Sequence, residues 1–293
     1  MNADTYVEMQ ALVDTEWVAA HLHDPGLRIF DCTLLLAPTA EDPFRFETVD
    51  RIWPRGHLPG AGFLDLKVEL SDPLSRWPLQ FTMPRSRQFA EVLGRKGVGE
   101  DTRVVLYSAQ HPMCAARVWW MLRTFGFDNA CVMDGGWEKW VAEGRPVSTE
   151  PCGYAPAQFH VHHRGHLVAS KAEVRAAIGN PKVLLINALS RKQHAGEGVN
   201  YGRPGRIPGS VCVPAAELVT RGTGTLRPIE ELRALFESAG VRRGLRLITY
   251  CGGGIAAACE AFVLSLLGYG DVAVYDGSLA EWSNDPTLPL EIG

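Results

Sequence analysis

The chain has 293 residues, of which 46% are hydrophobic and 21% charged, with a formal charge of -4. That length suits two domains at roughly 100–200 residues each, and the balance excludes a disordered, collagen-like or small disulfide-stapled chain. A broad basic footprint for nucleic acid is absent, and no stretch approaches the ~20 consecutive apolar residues of a membrane span.

Met1 to Glu8 lacks the basic-then-apolar layout of a secretory leader. The seven cysteines are odd in number and lack short paired spacings. A cytoplasmic protein with reduced thiols is expected, with no nucleic acid or membrane as partner.

Leu12-Val13-Asp14-Thr15 opens the first of two similar halves. The apolar run Leu27–Phe30 predicts a buried strand. The turn Gly56-His57-Leu58-Pro59-Gly60 follows, then a helical face of Phe89, Val92 and Leu93. Arg103–Tyr107 reads as a strand. Trp119, Leu122 and Phe125 mark a helix that Gly126 stops, and Ala130–Met133 is a further strand. Arg145 to Gln158 carries Pro146, Pro151, Gly153 and Pro156 without periodicity, so a linker is expected there. The domains expected are 5–147 and 160–293, joined by 148–159.

The second half repeats the order. It opens at Leu167-Val168-Ala169-Ser170, with strands at Val183–Ile186, Arg246–Tyr250 and Val272–Tyr275. Gly205-Arg206-Ile207-Pro208-Gly209 matches the first turn. Leu232, Leu235 and Phe236, then Ala261, Leu264 and Leu267, mark helices, the latter stopped by Gly268. Val132-Met133-Asp134-Gly135 matches Val274-Tyr275-Asp276-Gly277, each with a Trp six positions after the Asp. The matched segments are offset by 155, 149, 143 and 142 residues, a drift that loop lengths explain. Strands alternating with helices predict an α/β fold, each half a parallel sheet flanked by helices.

The chemistry concentrates at Tyr250-Cys251-Gly252-Gly253-Gly254-Ile255-Ala256, where a buried strand runs through a cysteine and three glycines into a helix from about Ala256 to Leu267. The glycines let the backbone curl around the sulfur with its amides inward. The helix N-terminus adds positive potential. Both features favour the thiolate, which is the nucleophilic form. A buried structural cysteine before a glycine turn is the bland alternative. The place at the carboxyl end of a strand, where open α/β sheets bind ligands, favours function.

These features together resemble the tandem rhodaneses over about Leu12 to Glu291. Further matching pieces are Arg117-Val118-Trp119-Trp120-Met121 with Phe125-Gly126, and Tyr275-Asp276-Gly277-Ser278 with Glu281-Trp282. The resemblance implies two tandem rhodanese-like domains and a thiosulfate or 3-mercaptopyruvate sulfurtransferase without a cofactor or metal. Cys251 would take a sulfane sulfur from a small donor as a persulfide and pass it to cyanide or a thiol such as thioredoxin or glutathione. Gly252, Gly253, Gly254, Ile255 and Ala256 would cradle the anion by their amides. The first domain would be inactive, with Ser108 in the place of Cys251 and Cys114 structural. His57 and Asp65 match positions proposed to assist proton handling in the mercaptopyruvate enzymes. The residues alone fit a turn histidine with its own hydrogen bond equally well.

The chain departs from the family pattern in three places. Gly252 and Gly253 stand where thiosulfate enzymes tend to carry Arg and Lys, which leans toward 3-mercaptopyruvate. Gly253 and Ala256 replace the loop hydroxyls usual in mercaptopyruvate enzymes. Gln193 replaces an arginine that would grip the donor; Arg191, Lys192, Arg203 and Arg206 are the possible substitutes, with Arg191 preferred. A persulfide carrier without appreciable turnover of the standard donors is the alternative function. A cysteine phosphatase is excluded, because the sixth residue after Cys251 is Ala257, not the arginine that phosphate needs. His160, His162, His163 and His166 crowd together, but no carboxylate or cysteine lies beside them, so no metal site is expected. The Gly252-Gly253-Gly254 spacing does not fit a dinucleotide fingerprint.

Overall fold

The computed structural model describes residues 11–37, 39, 45–47, 56–76, 78–199 and 201–293. The leader reading at Met1 to Glu8 and the domain start at residue 5 lie outside them. The chain forms two compact units. Unit 1 is Met1–Pro73, Met83–His163 and Arg221–Leu226; unit 2 is Leu74–Thr82, Arg164–Thr220 and Arg227–Gly293.

Unit 1 contains β1 (Leu12–Val13), α1 (Thr15–His21), β2 (Leu27–Asp31), β3 (Leu35–Leu36), β4 (Phe46–Glu47), β5 (Gly62–Phe63), α2 (Ser86–Arg95), β6 (Arg103–Tyr107), α3 (Met113–Thr124), β7 (Ala130–Met133) and α4 (Gly136–Ala142). Its main sheet runs β1-β7-β6-β2-β5, with every pairing parallel. β3 and β4 form a small antiparallel pair. Unit 2 contains β8 (Val168–Ala169), α5 (Lys171–Ala177), β9 (Val183–Asn187), α6 (Arg191–His194), β10 (Val211–Cys212), α7 (Ile229–Ser238), β11 (Arg246–Tyr250), α8 (Ile255–Leu266), β12 (Val272–Tyr275) and α9 (Ser278–Trp282). Its parallel sheet runs β10-β9-β11-β12-β8, the same order read from the other edge.

The central strands are near-continuous apolar runs because helices cover both faces of a parallel sheet. β6 and β11 are buried after their first residue. Gly126 and Gly268, at φ +94° and +79°, end α3 and α8 in the left-handed conformation that a side chain would strain. The strand register revises one offset. Leu12 pairs with Val132 and Val168 with Val274, so Leu12 corresponds to Val168, an offset of 156 rather than 155. Asp14 then corresponds to Ser170. Both are helix N-caps, accepting from Trp17 N–H at 2.6 Å and Glu173 N–H at 3.2 Å.

The repeat extends to the cores. Tyr107 and Tyr250, which end β6 and β11, are fully buried, and their hydroxyls accept from Leu58 N–H and Ile207 N–H at 3.3 and 3.2 Å. Each therefore braces its own glycine-proline turn. Trp140 and Trp282 are buried and donate to Pro146 O and Pro289 O at 2.7 and 2.8 Å. The segment expected as a linker is anchored on unit 1. Tyr154 Oη donates to Gly60 O at 2.6 Å, Ala157 N–H to Gly94 O at 2.8 Å, and Phe159 packs edge-on against Phe89. Its prolines and the lack of period reflect a strap satisfied by a neighbouring surface. Among the described residues no helix is long and apolar enough to cross a membrane.

Candidate functional site

β9 and β11 lie side by side in unit 2, Asn187 paired with Tyr250. The chain leaves β9 toward β10 and β11 toward β12, so their carboxyl ends flank the switch point where such sheets bind ligands. Cys251 follows β11 there and is 3% exposed.

The loop is fixed from both sides of the sulfur. Gly254 N–H donates to Cys251 Sγ at 3.1 Å, and Gly254 holds φ +85° as the N-cap of α8. The first intrahelical bond is Ala258 N–H to Gly254 O, so the amides of Ile255 and Ala256 precede the helix ladder. Cys251 N–H donates to Ser278 Oγ at 3.0 Å, and Ser278 Oγ–H to Tyr275 O at 2.8 Å. Ser278 is fully buried at φ +49°, a left-handed conformation uncommon for a residue with a side chain. Leu279 N–H and Ala280 N–H donate to Cys251 O and Gly252 O at 3.0 and 2.8 Å.

The surroundings of Gly252 and Gly253 differ. A Cβ on Gly252 would stand 1.8 Å from Tyr201 Cζ, so the Tyr201 ring lies directly over the loop. Burial, with the negative charge of Cys251, pushes the Tyr201 hydroxyl up. A Cβ on Gly253 would meet only Phe81 Cδ2, at 4.0 Å.

Glu260 lies on α8 and is fully buried, and neither carboxylate oxygen has a hydrogen-bond partner among the described residues. Burial, with the Cys251 charge, pushes its carboxyl well above the usual carboxylate range. Burial disfavours the thiolate at three of the other cysteines. Burial pushes Cys114 up to about 12 and both Cys131 and Cys212 to about 11.

Arg191 opens α6 just beyond β9. Its guanidinium holds Glu217 in a two-point pair at 3.1 and 2.7 Å, both side chains being well exposed. Arg203 donates to the carbonyls of Ser283, Asp285 and Leu288, and Arg206 to those of His194 and Gly293 besides pairing with Glu291. Both arginines therefore fasten the C-terminal segment. Gln193 accepts from Ser190 Oγ–H at 2.9 Å and donates to Val199 O at 3.1 Å, bracing the loop that leads to Tyr201.

His57 and Asp65 belong to unit 1 and Cys251 to unit 2. His57 is fully buried. Its Nδ1 bonds Leu58 O at 2.9 Å, and its backbone pairs with Ser148. Asp65 accepts from Lys67 N–H and Val68 N–H at 2.8 and 2.9 Å. Ser108 does follow β6 as Cys251 follows β11, but its loop closes on itself. Ser108 Oγ–H donates to His111 O at 2.7 Å, and Gln110 stands at φ +65°. Among the described residues no group of three or more His, Cys, Asp or Glu side chains is placed to hold a metal.

Sequence reasoning missed Tyr201, Glu260 and the tie from Ser278 to Cys251. Tyr201 gave no local signal. Glu260 did, as the lone charge inside an apolar helix.

A rhodanese-like domain model matches residues 14–143 and 170–285. The chain belongs to the rhodanese family. It is 32% identical over 301 residues to the sulfur carrier protein TtuD of Thermus thermophilus, covering 98% of this chain and 99% of the relative. It is 34% identical over 284 residues to the thiosulfate sulfurtransferase of Bos taurus, covering 93% and 92%. The crystal structure of SseA, a 3-mercaptopyruvate sulfotransferase from Escherichia coli, matches with a TM-score of 0.81 at 30% identity over 92% of this chain and 99% of that one. This rhodanese is accordingly an enzyme of the sulfurtransferase class.

Proposed function

We propose that Cys251 is the nucleophile and carries the transferred sulfur as a persulfide, with 3-mercaptopyruvate favoured over thiosulfate as donor. The observation that carries this reading is the 3.1 Å hydrogen bond from Gly254 N–H to Cys251 Sγ at the start of α8. Backbone dipoles fixed at that place stabilise sulfur anions without reorganising. The Cys251 thiolate attacks the donor thiol's sulfur, the carbon–sulfur bond breaks, and the carbon takes the thiol proton. Pyruvate leaves, and the enzyme retains an anionic persulfide. Thiosulfate would instead lose sulfite with no proton moved. Cyanide then removes the outer sulfur as thiocyanate, or a thiol such as thioredoxin or glutathione removes it as a new persulfide, and the Cys251 thiolate returns.

The bare glycines after Cys251 support the monoanionic donor over the dianion, since the loop supplies amides and no side-chain cation. Arg191 is the proposed grip on the donor carboxylate, which would compete with Glu217 for the guanidinium. His57 and Asp65 are proposed to assist proton handling. The seven cysteines, all unpaired, support a cytoplasmic setting. The second reading is a persulfide carrier with little turnover of either donor. The near-complete cover of Cys251 and the likeness to a protein named as a sulfur carrier favour it.

Intact mass spectrometry after separate incubation with 3-mercaptopyruvate and thiosulfate tests the proposal. One added sulfur with 3-mercaptopyruvate, absent in Cys251→Ser, is expected. Addition with thiosulfate alone would overturn the donor order, and addition with neither would leave the carrier reading.

A further inference from the structure

Glu260 plays no part in the chemistry described so far, yet it is the most anomalous side chain in unit 2. It is fully buried, and both its oxygens lack a hydrogen-bond partner among the described residues. An uncompensated carboxylate is too costly to bury, so the group stays protonated. Its direction follows from helix geometry. Cα–Cβ bonds tilt toward the helix N-terminus, so a long side chain at 260 covers the turn before it, around Ala256. That turn begins the amide cradle of Cys251. Besides burial, the Cys251 charge pushes the Glu260 carboxyl up, and the Glu260 charge helps push up the Cys212 thiol on β10. Arg191, Glu217 and Arg206 also act on Cys212.

We infer that Glu260 is a positioning residue of the sulfur-transfer site, which, while protonated, limits the site to one negative charge and, once ionised, repels anionic donors. The inference rests on the reading of Cys251 as nucleophile. A negative charge at Cys251 opposes ionisation of Glu260, so this carboxyl gives up its proton at a higher pH than an isolated one. Loss of that proton sets an upper pH limit on reaction with any anionic reagent, while a neutral reagent is spared.

Two alkylating agents separate these cases without a sulfur donor. Rates at Cys251 with neutral iodoacetamide and anionic iodoacetate, assigned by peptide mapping, are compared from neutral to alkaline pH. The iodoacetate-to-iodoacetamide ratio is expected to fall by about tenfold in the native protein as a second charge appears nearby. It should stay flat in Glu260→Gln. Superimposable ratios in the two proteins would overturn the inference. A second measurement needs no variant. Infrared spectra of native protein with carbon-13-labelled glutamate should show a protonated carboxyl at neutral pH, and its titration should move to lower pH once iodoacetamide caps Cys251. Absence of that band, or no movement, would overturn the inference equally. Neither measurement involves persulfide loading, so failure to load sulfur on Cys251 counts against the nucleophile reading and not against Glu260.

Discussion

Substituting alanine at each loop glycine in turn should give three different results. A Cβ on Gly252 would lie 1.8, 2.2 and 2.3 Å from Tyr201 Cζ, Cε2 and Cε1. Ordinary carbon contacts are about 3.5–4.0 Å, so the ring must retreat by roughly 1.5 Å or the loop must move. Overpacking of this kind costs about 1–3 kcal/mol. A shift of about 1 Å in the cradle lowers the rate of sulfur loading about 100-fold. Gly253→Ala meets only Phe81 Cδ2 at 4.0 Å and should stay within about 0.5–1 kcal/mol and a few-fold of native. Gly254→Ala forces a side chain to φ +85° and should cost roughly 1–2 kcal/mol through backbone strain alone. The assays are urea unfolding and the initial rate of persulfide formation by intact mass. Tyr201→Ala placed on Gly252→Ala should recover most of the lost rate, with a coupling of about 1–3 kcal/mol in the double-mutant cycle. Equal behaviour of Gly252→Ala and Gly253→Ala, or no rescue by Tyr201→Ala, would refute the packing argument.

Ser278→Ala should cost about 1–3 kcal/mol in urea unfolding, because the Cys251 N–H loses its buried acceptor. Ser278→Gly should cost less, since glycine relieves the φ of +49°. Glu260→Met should raise stability by about 1–3 kcal/mol by removing a buried acid without partners, read as a higher urea midpoint. An unchanged or lower midpoint would show that the carboxyl is compensated. His194 is half-buried, and burial with the nearby Arg206 lowers it to about 4. It is neutral in the fold and accepts from Asn187 Nδ2 at 3.2 Å. The unfolded chain binds the extra proton between about 6.5 and about 4, so stability is lost as pH falls through that window. The loss is about 1–2 kcal/mol after discount for partial exposure, and His194→Gln should remove it from urea midpoints measured across the window.

What the sequence showed and what it hid divide along physical lines. β6, β7, β11 and β12 lie where their apolar runs place them, because a strand buried on both faces writes its burial directly into composition. β2 and β9 each extend one polar residue further, to Asp31 and Asn187. The two-residue strands β1, β5, β8 and β10 are too short to carry a period, which is also why the opening of the repeat was misaligned by one residue. The Cys251 loop was legible because its geometry is local: glycines, a strand end and a helix start within a few residues. Tyr201 over Gly252 and Glu217 on Arg191 join positions 51 and 26 residues apart, and no local pattern marks such pairs. Glu260 is legible as the lone charge in an otherwise apolar helix, but its burial without a hydrogen-bond partner is not.

The repeat itself argues for where the chemistry resides. Trp137 N–H donates to Ser108 O in unit 1 as Leu279 N–H donates to Cys251 O in unit 2, so the same main-chain tie survives in both copies. The position beside it differs. In unit 1 it is Gly136, where a Cβ would stand 2.1 Å from Ser108 O, so the turn presses on the loop and tolerates no side chain. In unit 2 it is Ser278, whose hydroxyl accepts from the Cys251 N–H. Unit 1 fills its loop with Pro112, a left-handed Gln110 and the bond from Ser108 to His111, which leaves no curled run of amides. A cysteine introduced at Ser108 alone would lack both the serine acceptor and the glycine cradle, so it is not expected to take up sulfur.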